Sequence, residues 1–193
     1  MKRLIFGILA AVIAVSTLSS CGYNSMVKLD ENVKSKWGTV QTQYQRRADL
    51  IPNLVATVKG AAKFEQGTLT AVTEARAKAT QMTVKADELT PENIQKYQAA
   101  QGQLSQALGK LLSITENYPE LRATQQFSDL SAQLESTENR ITVARKDFND
   151  GVQEYNGKIR SFPNNLTAGM FGFKAKGYFE ADATAKDAPK VEF

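Results

Sequence analysis

The chain has 193 residues, 42% of them hydrophobic and 8% aromatic, which supplies one packed domain and excludes a wholly disordered chain. Its 24 basic and 20 acidic residues leave a formal charge of +4, and there is no histidine, so the commonest general base and the commonest metal ligand are both missing. No basic block is longer than a pair such as Arg46-Arg47, which argues against a nucleic-acid partner, and a single cysteine forms no internal disulfide.

The first element is a leader. Met1-Lys2-Arg3 is a short positive segment, and Leu4 to Val15 is an apolar run. That run suits a secretory signal and falls short of the about 20 residues a membrane span needs. Leu18-Ser19-Ser20-Cys21-Gly22 follows and resembles a lipobox, the site where a bacterial lipoprotein is acylated on cysteine and cleaved before it. Cys21 is therefore the expected lipidation site. Two acyl chains meet the two-signal requirement for stable anchoring. The expected division is a signal peptide over 1–20, the lipidated cysteine and a short tether over 21–28, a helical bundle over 29–163, and a tail over 164–193. Gly22 to Lys28 reaches at most roughly 25 Å. The predicted address is the extracytoplasmic, periplasmic face of a membrane. Gly22, which is no aspartate-type retention signal, favours the outer membrane where a cell has two.

Apolar residues then recur in alternating steps of four and three: Val33, Trp37, Val40, Tyr44, Arg47, Ile51, Leu54 and Val58. This is a heptad seam interrupted only by Arg47. The seam keeps its phase across Pro52, which predicts a kinked helix, with a helix break as the alternative. Gly60 and Gly67 bracket an expected bend near Phe64. A second, alanine-rich helix is expected over 68–85, with Leu69, Val72, Ala75, Ala79 and Met82 inward. Thr90-Pro91-Glu92 reads as an N-cap, a first-position proline and a first-turn acid. The third helix carries Ile94, Tyr97, Leu104, Leu108 and Leu111 on one stripe.

Tyr118-Pro119-Glu120 restarts the chain, and a fourth helix of about 60 Å is expected from 120 to 160. Its seam begins at Phe127 and Leu130 and ends at Tyr155 and Ile159. The sum is an all-α antiparallel bundle of about four helices, two of them long, with coiled-coil-like packing. Phe162-Pro163 ends the helical region. The tail, with Met170, Phe171, Phe173, Tyr178 and Phe179 among glycines, is expected to pack in part on one end of the bundle. From Asp182 the polar, small composition predicts disorder.

The charged candidates form two clusters. Arg46, Arg47 and Asp49 sit on the first helix, and Glu138, Asn139 and Arg140 on the last. Arg47 occupies a seam position and Glu138 flanks one, so Arg47 is expected to pair across the bundle with Glu138 or another inward acid. Such a pair is first a register-fixing polar layer, and alternatively a partner site. Trp37 and Tyr44 read as core. No catalytic residue, metal site or cofactor is expected, because no nucleophile–base pair, Gly-rich cradle or metal spacing accompanies the carboxylates.

Two long stretches, QTQYQRRADLIPNLVATVKG at 41–60 and YPELRATQQFSDLSAQLESTENRITVARKDFNDGVQEY at 118–155, resemble the LemA family of bacterial envelope proteins. The likeness runs from Tyr23-Asn24 through Trp37 to Gly172-Phe173 and Tyr178-Phe179-Glu180-Ala181, nearly all of the mature chain. It implies a helical bundle on an N-terminal membrane anchor, with no established catalytic residues, in a family associated with envelope and membrane organisation, including a branch involved in magnetosome formation. The lipobox departs from the family's usual transmembrane helix. Together these readings predict a non-catalytic scaffold or adaptor, tethered to the membrane through Cys21, that binds another envelope protein. The alternative is a binding protein that holds a small apolar or lipid ligand between its helices.

Overall fold

The computed structural model describes residues 22–60 and 65–180 with their side chains, and residues 2–21 as helical backbone. The side chain of Cys21, the bend near Phe64 and the segment from Asp182 onward lie outside the described residues. Within them the chain is all-α, with six helices: α1 (Lys2–Lys59), α2 (Gln66–Gln81), α3 (Pro91–Thr115), α4 (Pro119–Arg122), α5 (Gln125–Arg160) and α6 (Asn164–Ala168). Among the described residues, no helix is long and apolar enough to cross a membrane.

The heptad seam dictates the packing. Val33, Trp37, Val40, Tyr44, Ile51, Leu54 and Val58 are all buried on α1. They face the equivalent stripe of α5, from Phe127 to Ile159, in antiparallel register. The register is visible at Lys36, whose Nζ donates to the Asp147 carbonyl at 3.0 Å. A second antiparallel pair, α2 and α3, covers one side of this long hairpin. Small side chains at Ala75 and Ala79 let α2 sit close. α1 continues without interruption through Pro52.

The Thr90 hydroxyl accepts from Asn93 N–H, and Pro91 and Glu92 complete the start of α3 as expected. A threonine N-cap of this kind contributes about 1 kcal/mol.

Three elements differ from the sequence reading. Helix α2 ends at Gln81 rather than near Lys85. Tertiary bonds explain the early stop: the Val84 carbonyl leaves the helical ladder to accept from Trp37 Nε1 at 3.0 Å and from Gln41 Nε2 at 3.3 Å. The fourth expected helix is split into α4 and α5, because Thr124 turns extended and caps α5 through Phe127 N–H. α5 is therefore about 54 Å long rather than 60 Å.

The third difference is the expected tether. Residues 22–28 are part of α1. Met26 lies seven residues before Val33, so it extends the seam by one repeat, and it is fully buried. The chain between the lipidation candidate and the body is helix, not a flexible link.

The tail packs more extensively than an end cap. Phe179 stacks into the cluster of Trp37 and Phe148, and Phe173 packs beside Tyr155. Lys176 and Gly177 are buried. Gly177 is required there: its N–H donates to the Leu89 carbonyl at 2.9 Å, and a Cβ on it would lie 2.5 Å from Pro91 Cα.

Candidate functional site

The apolar interior consists of two clusters. One gathers Trp37, Tyr44, Tyr97, Ile141 and Phe148. The other gathers Ile51, Leu54, Leu104, Leu130 and Leu134. Between them lies a polar layer built on Arg47, which is 1% exposed. A buried guanidinium is costly unless its charge is answered and most of its donors are satisfied. Here Nε is left without a hydrogen-bond partner among the described residues, and the two terminal nitrogens carry the bonding. Arg47 Nη1 donates to Glu138 Oε1 at 2.7 Å and to Ser105 Oγ at 2.7 Å. Nη2 donates to Gln101 Oε1 at 2.7 Å and to the Gln101 carbonyl at 3.2 Å. Gln101 Nε2 in turn donates to the Ala79 carbonyl at 3.2 Å. The layer thus joins α1, α2, α3 and α5. The guanidinium also lies over the Tyr44 ring, 5.0 Å from its centroid. Burial, reinforced by the charge of neighbouring Tyr44, raises the Tyr97 hydroxyl above its ordinary pKa.

A surface cleft of about 480 Å³ between α3 and α5 reaches this layer and is lined by Arg47, Gln101, Ser105, Glu138 and Arg145. Glu138, 44% exposed on its side chain, stands at its mouth. The layer can fix the register of four helices and present one half-solvated carboxylate. Among the described residues, no group of three acidic side chains gathers where a metal ion would sit.

The structure divides the predicted clusters. Arg47 and Glu138 meet in the layer. Arg46 and Asp49 are exposed, and Asp49 accepts from Gln45 Nε2 one turn away at 2.7 Å. Asn139 and Arg140 turn to a different surface, an open groove of about 580 Å³ along α1 and α5. Thr39, Gln43, Ser136 and Val143 share that groove, and Val143 is one of the few large apolar side chains left exposed.

A second polar arrangement binds the tail. Three side-chain amides each pair with both the N–H and the carbonyl of one tail residue. Asn156 holds Lys176 at 2.9 Å in both directions. Asn149 holds Phe179 at 2.9 Å in both directions. Gln98 holds Glu180 at 2.9 and 3.0 Å. The tail's extended backbone therefore finds on α5 and α3 the partners that a neighbouring strand would otherwise supply.

The LemA family profile matches residues 36–193. The chain belongs to the LemA family. It is 26% identical to magnetosome protein MamQ 2 of Paramagnetospirillum magneticum, over 97% of this chain and 75% of that protein. It is 27% identical to magnetosome protein MamQ of Magnetospirillum gryphiswaldense over the same shares. It is 22% identical to protein LemA of Metamycoplasma hominis, over 82% of this chain and 68% of that protein.

In this LemA-family bundle, sequence reasoning missed Gln101 and Ser105. A signal existed for Gln101, since 97, 101, 104, 108 and 111 continue the four–three alternation with one polar member, as Arg47 does on α1. The amides of Asn149 and Asn156 were also missed. They are seven residues apart and so lie on one line of α5, but the sequence does not reveal that an extended tail runs along it.

Proposed function

We propose that this LemA-family chain is a non-catalytic, membrane-tethered helical scaffold of the bacterial cell envelope that binds another envelope protein. The observation that carries the reading is the continuity of α1 from the leader region through the body to Lys59. With acylation and cleavage at Cys21, the helix starts at the lipid-bearing residue, and the body is joined to the membrane by helix rather than by a flexible link. The clefts around the bundle open on its surface, while the space between the helices is filled by side chains such as Trp37, Phe148 and Leu104. This favours a partner at the surface over an apolar ligand between helices. The open groove on α1 and α5, with Val143 amid Asn139, Arg140 and Ser136, is the face assigned to that partner.

Photo-crosslinking in intact cells tests the reading, with the probe at Ser136, Asn139 or Val143 and at exposed positions on α2 as controls. The comparison protein is Cys21→Ala exported by a conventional signal peptide. One reproducible protein adduct from the groove positions, lost from α2 and from the untethered form, is the expected result. Lipid adducts without protein would overturn the scaffold reading in favour of ligand binding.

A further inference from the structure

Turns at the end of a bundle usually point their apolar side chains inward. The turn after α5 does the reverse. Asn165 N–H donates to the Ser161 carbonyl and Phe171 N–H to the Thr167 carbonyl. Ser161 itself is extended, while residues 164–171 stay close to helical, so side chains four apart there share a side. Asn164 and Ala168 face inward and are buried. A Cβ at Gly22 would collide with Asn164 Oδ1, so α6 rests directly against the start of the described part of α1. Phe162, Leu166 and Met170 take the outer side and are 79%, 64% and 84% exposed. Phe171 and Tyr23, both exposed, extend the patch with ring centroids 5.0 Å apart. Most of the large apolar side chains exposed among the described residues are in this one place. Single exposed apolar residues are ordinary, but a contiguous patch marks a contact surface.

Two observations indicate what covers it. The first is position: the patch surrounds the point where α1 passes into residues 2–21, which contain the apolar run and Cys21. The second is charge. Lys158, Arg160 and Lys174 flank the patch along the chain, and among the described residues none of them has a carboxylate within ion-pair distance. An apolar surface with a cationic border suits an anionic bilayer, whose interface accepts large side chains at headgroup depth while the cations stay with the phosphates.

We propose that residues 162–171, together with Tyr23, form a foot that inserts its apolar side chains into the bilayer surface beside the N-terminal anchor. The inference rests on the tethering reading above and adds a second membrane contact to it. A lipid on one residue fixes a point and leaves the body free to swivel. A foot beside it fixes the rotation of the bundle, and with it the direction in which the α1/α5 groove faces.

The test uses the full chain in vesicles of phosphatidylethanolamine and phosphatidylglycerol, with acyl-brominated lipid as the depth probe. Leu166→Trp reports on the foot and Val143→Trp on the groove, while buried Trp37 gives a constant background. Emission of Leu166→Trp is expected to be quenched by the bromines, and its acrylamide quenching to fall by about threefold or more on vesicle binding. Val143→Trp should show neither change. If Leu166→Trp stays as open to acrylamide as Val143→Trp on protein that floats with the vesicles, the foot is overturned and the tether stands. Shielding from acrylamide without bromine quenching would assign the patch to a protein contact and also overturn the foot. A full chain that does not float with vesicles would overturn tether and foot together.

Discussion

Asn156 of α5 accepts from Lys176 N–H through Oδ1 and donates to the Lys176 carbonyl through Nδ2, both at 2.9 Å, so one side chain occupies both backbone groups of one buried tail residue. Asn156→Ala removes both bonds and leaves a buried N–H without a partner. The expected cost is about 1–3 kcal/mol. Urea unfolding would measure it, and native-state hydrogen exchange should show the Lys176 amide opening well before the amides of α5. Unchanged exchange at Lys176 would mean that the tail is held by its other contacts, the aromatics and the Asn149 and Gln98 clamps, without help from Asn156.

Gly177 sets the closest approach of the tail to the bundle. Gly177→Ala places a methyl group 2.5 Å from the backbone of Pro91, where no flexible tip can move aside. Overpacking of this kind costs about 1–3 kcal/mol. Gly102→Ala is the control, since a Cβ there meets nothing within 4 Å, and it should leave the denaturation midpoint unchanged or raise it.

The Arg47 layer predicts an asymmetry between its two charges. Glu138→Ala strands a buried guanidinium. Loss of a partner from a buried pair costs about 3–5 kcal/mol, and the solvent around half-exposed Glu138 reduces this to about 2 kcal/mol. Arg47→Met removes the buried charge itself and should cost less. In the double variant Arg47→Met/Glu138→Ala, the second change should add almost nothing to the first. Simple additivity in chemical denaturation would show that the two side chains are not coupled.

Alkaline titration should isolate Tyr155 in a Tyr97→Phe background, which removes the other phenol that burial raises. Its burial, aided by the negative charge of Asp30, pushes the phenol from 10.0 up to about 12, and its hydroxyl donates to the Lys174 carbonyl at 3.0 Å. A pKa raised by folding contributes stability that is complete below pH 10 and is lost as the pH climbs through about 12. The tyrosinate absorbance should therefore include a late step that is absent from Tyr155→Phe, and that variant's stability should fall less steeply across the same window. An unchanged titration curve in Tyr155→Phe would contradict the assignment.

Much of the bundle was legible because its core follows one repeat. The positions from Val33 to Val58 and from Phe127 to Ile159 state their own faces, and a polar residue in such a row, Arg47, announces a partner opposite. Gln101 could have been found by the same rule. Boundaries set by tertiary bonds were not legible. The residues before Val84 continue a plausible helix, and it takes the indole of Trp37 and the amide of Gln41, 47 and 43 positions away, to draw that carbonyl out of the ladder. The amides of Asn149 and Asn156 were hidden for a related reason: their partners are backbone groups, which look alike at every position. Residues 22–28 were read as linker because the seam was started one heptad late, at Val33 instead of Met26.

The unbroken run of α1 has a mechanical consequence. From Gly22 to Lys59 the helix is about 57 Å long, and no loop along that length can absorb a rotation. On the proposed membrane anchor it would behave as a lever pivoted at the bilayer. A tilt of about 10° at the pivot would carry the far end sideways by about 10 Å, a displacement that follows from the same helical rise. A partner in the α1/α5 groove, beside Thr39 and Gln43 about midway along the lever, would therefore sense the inclination of the anchor as a change in position rather than in shape.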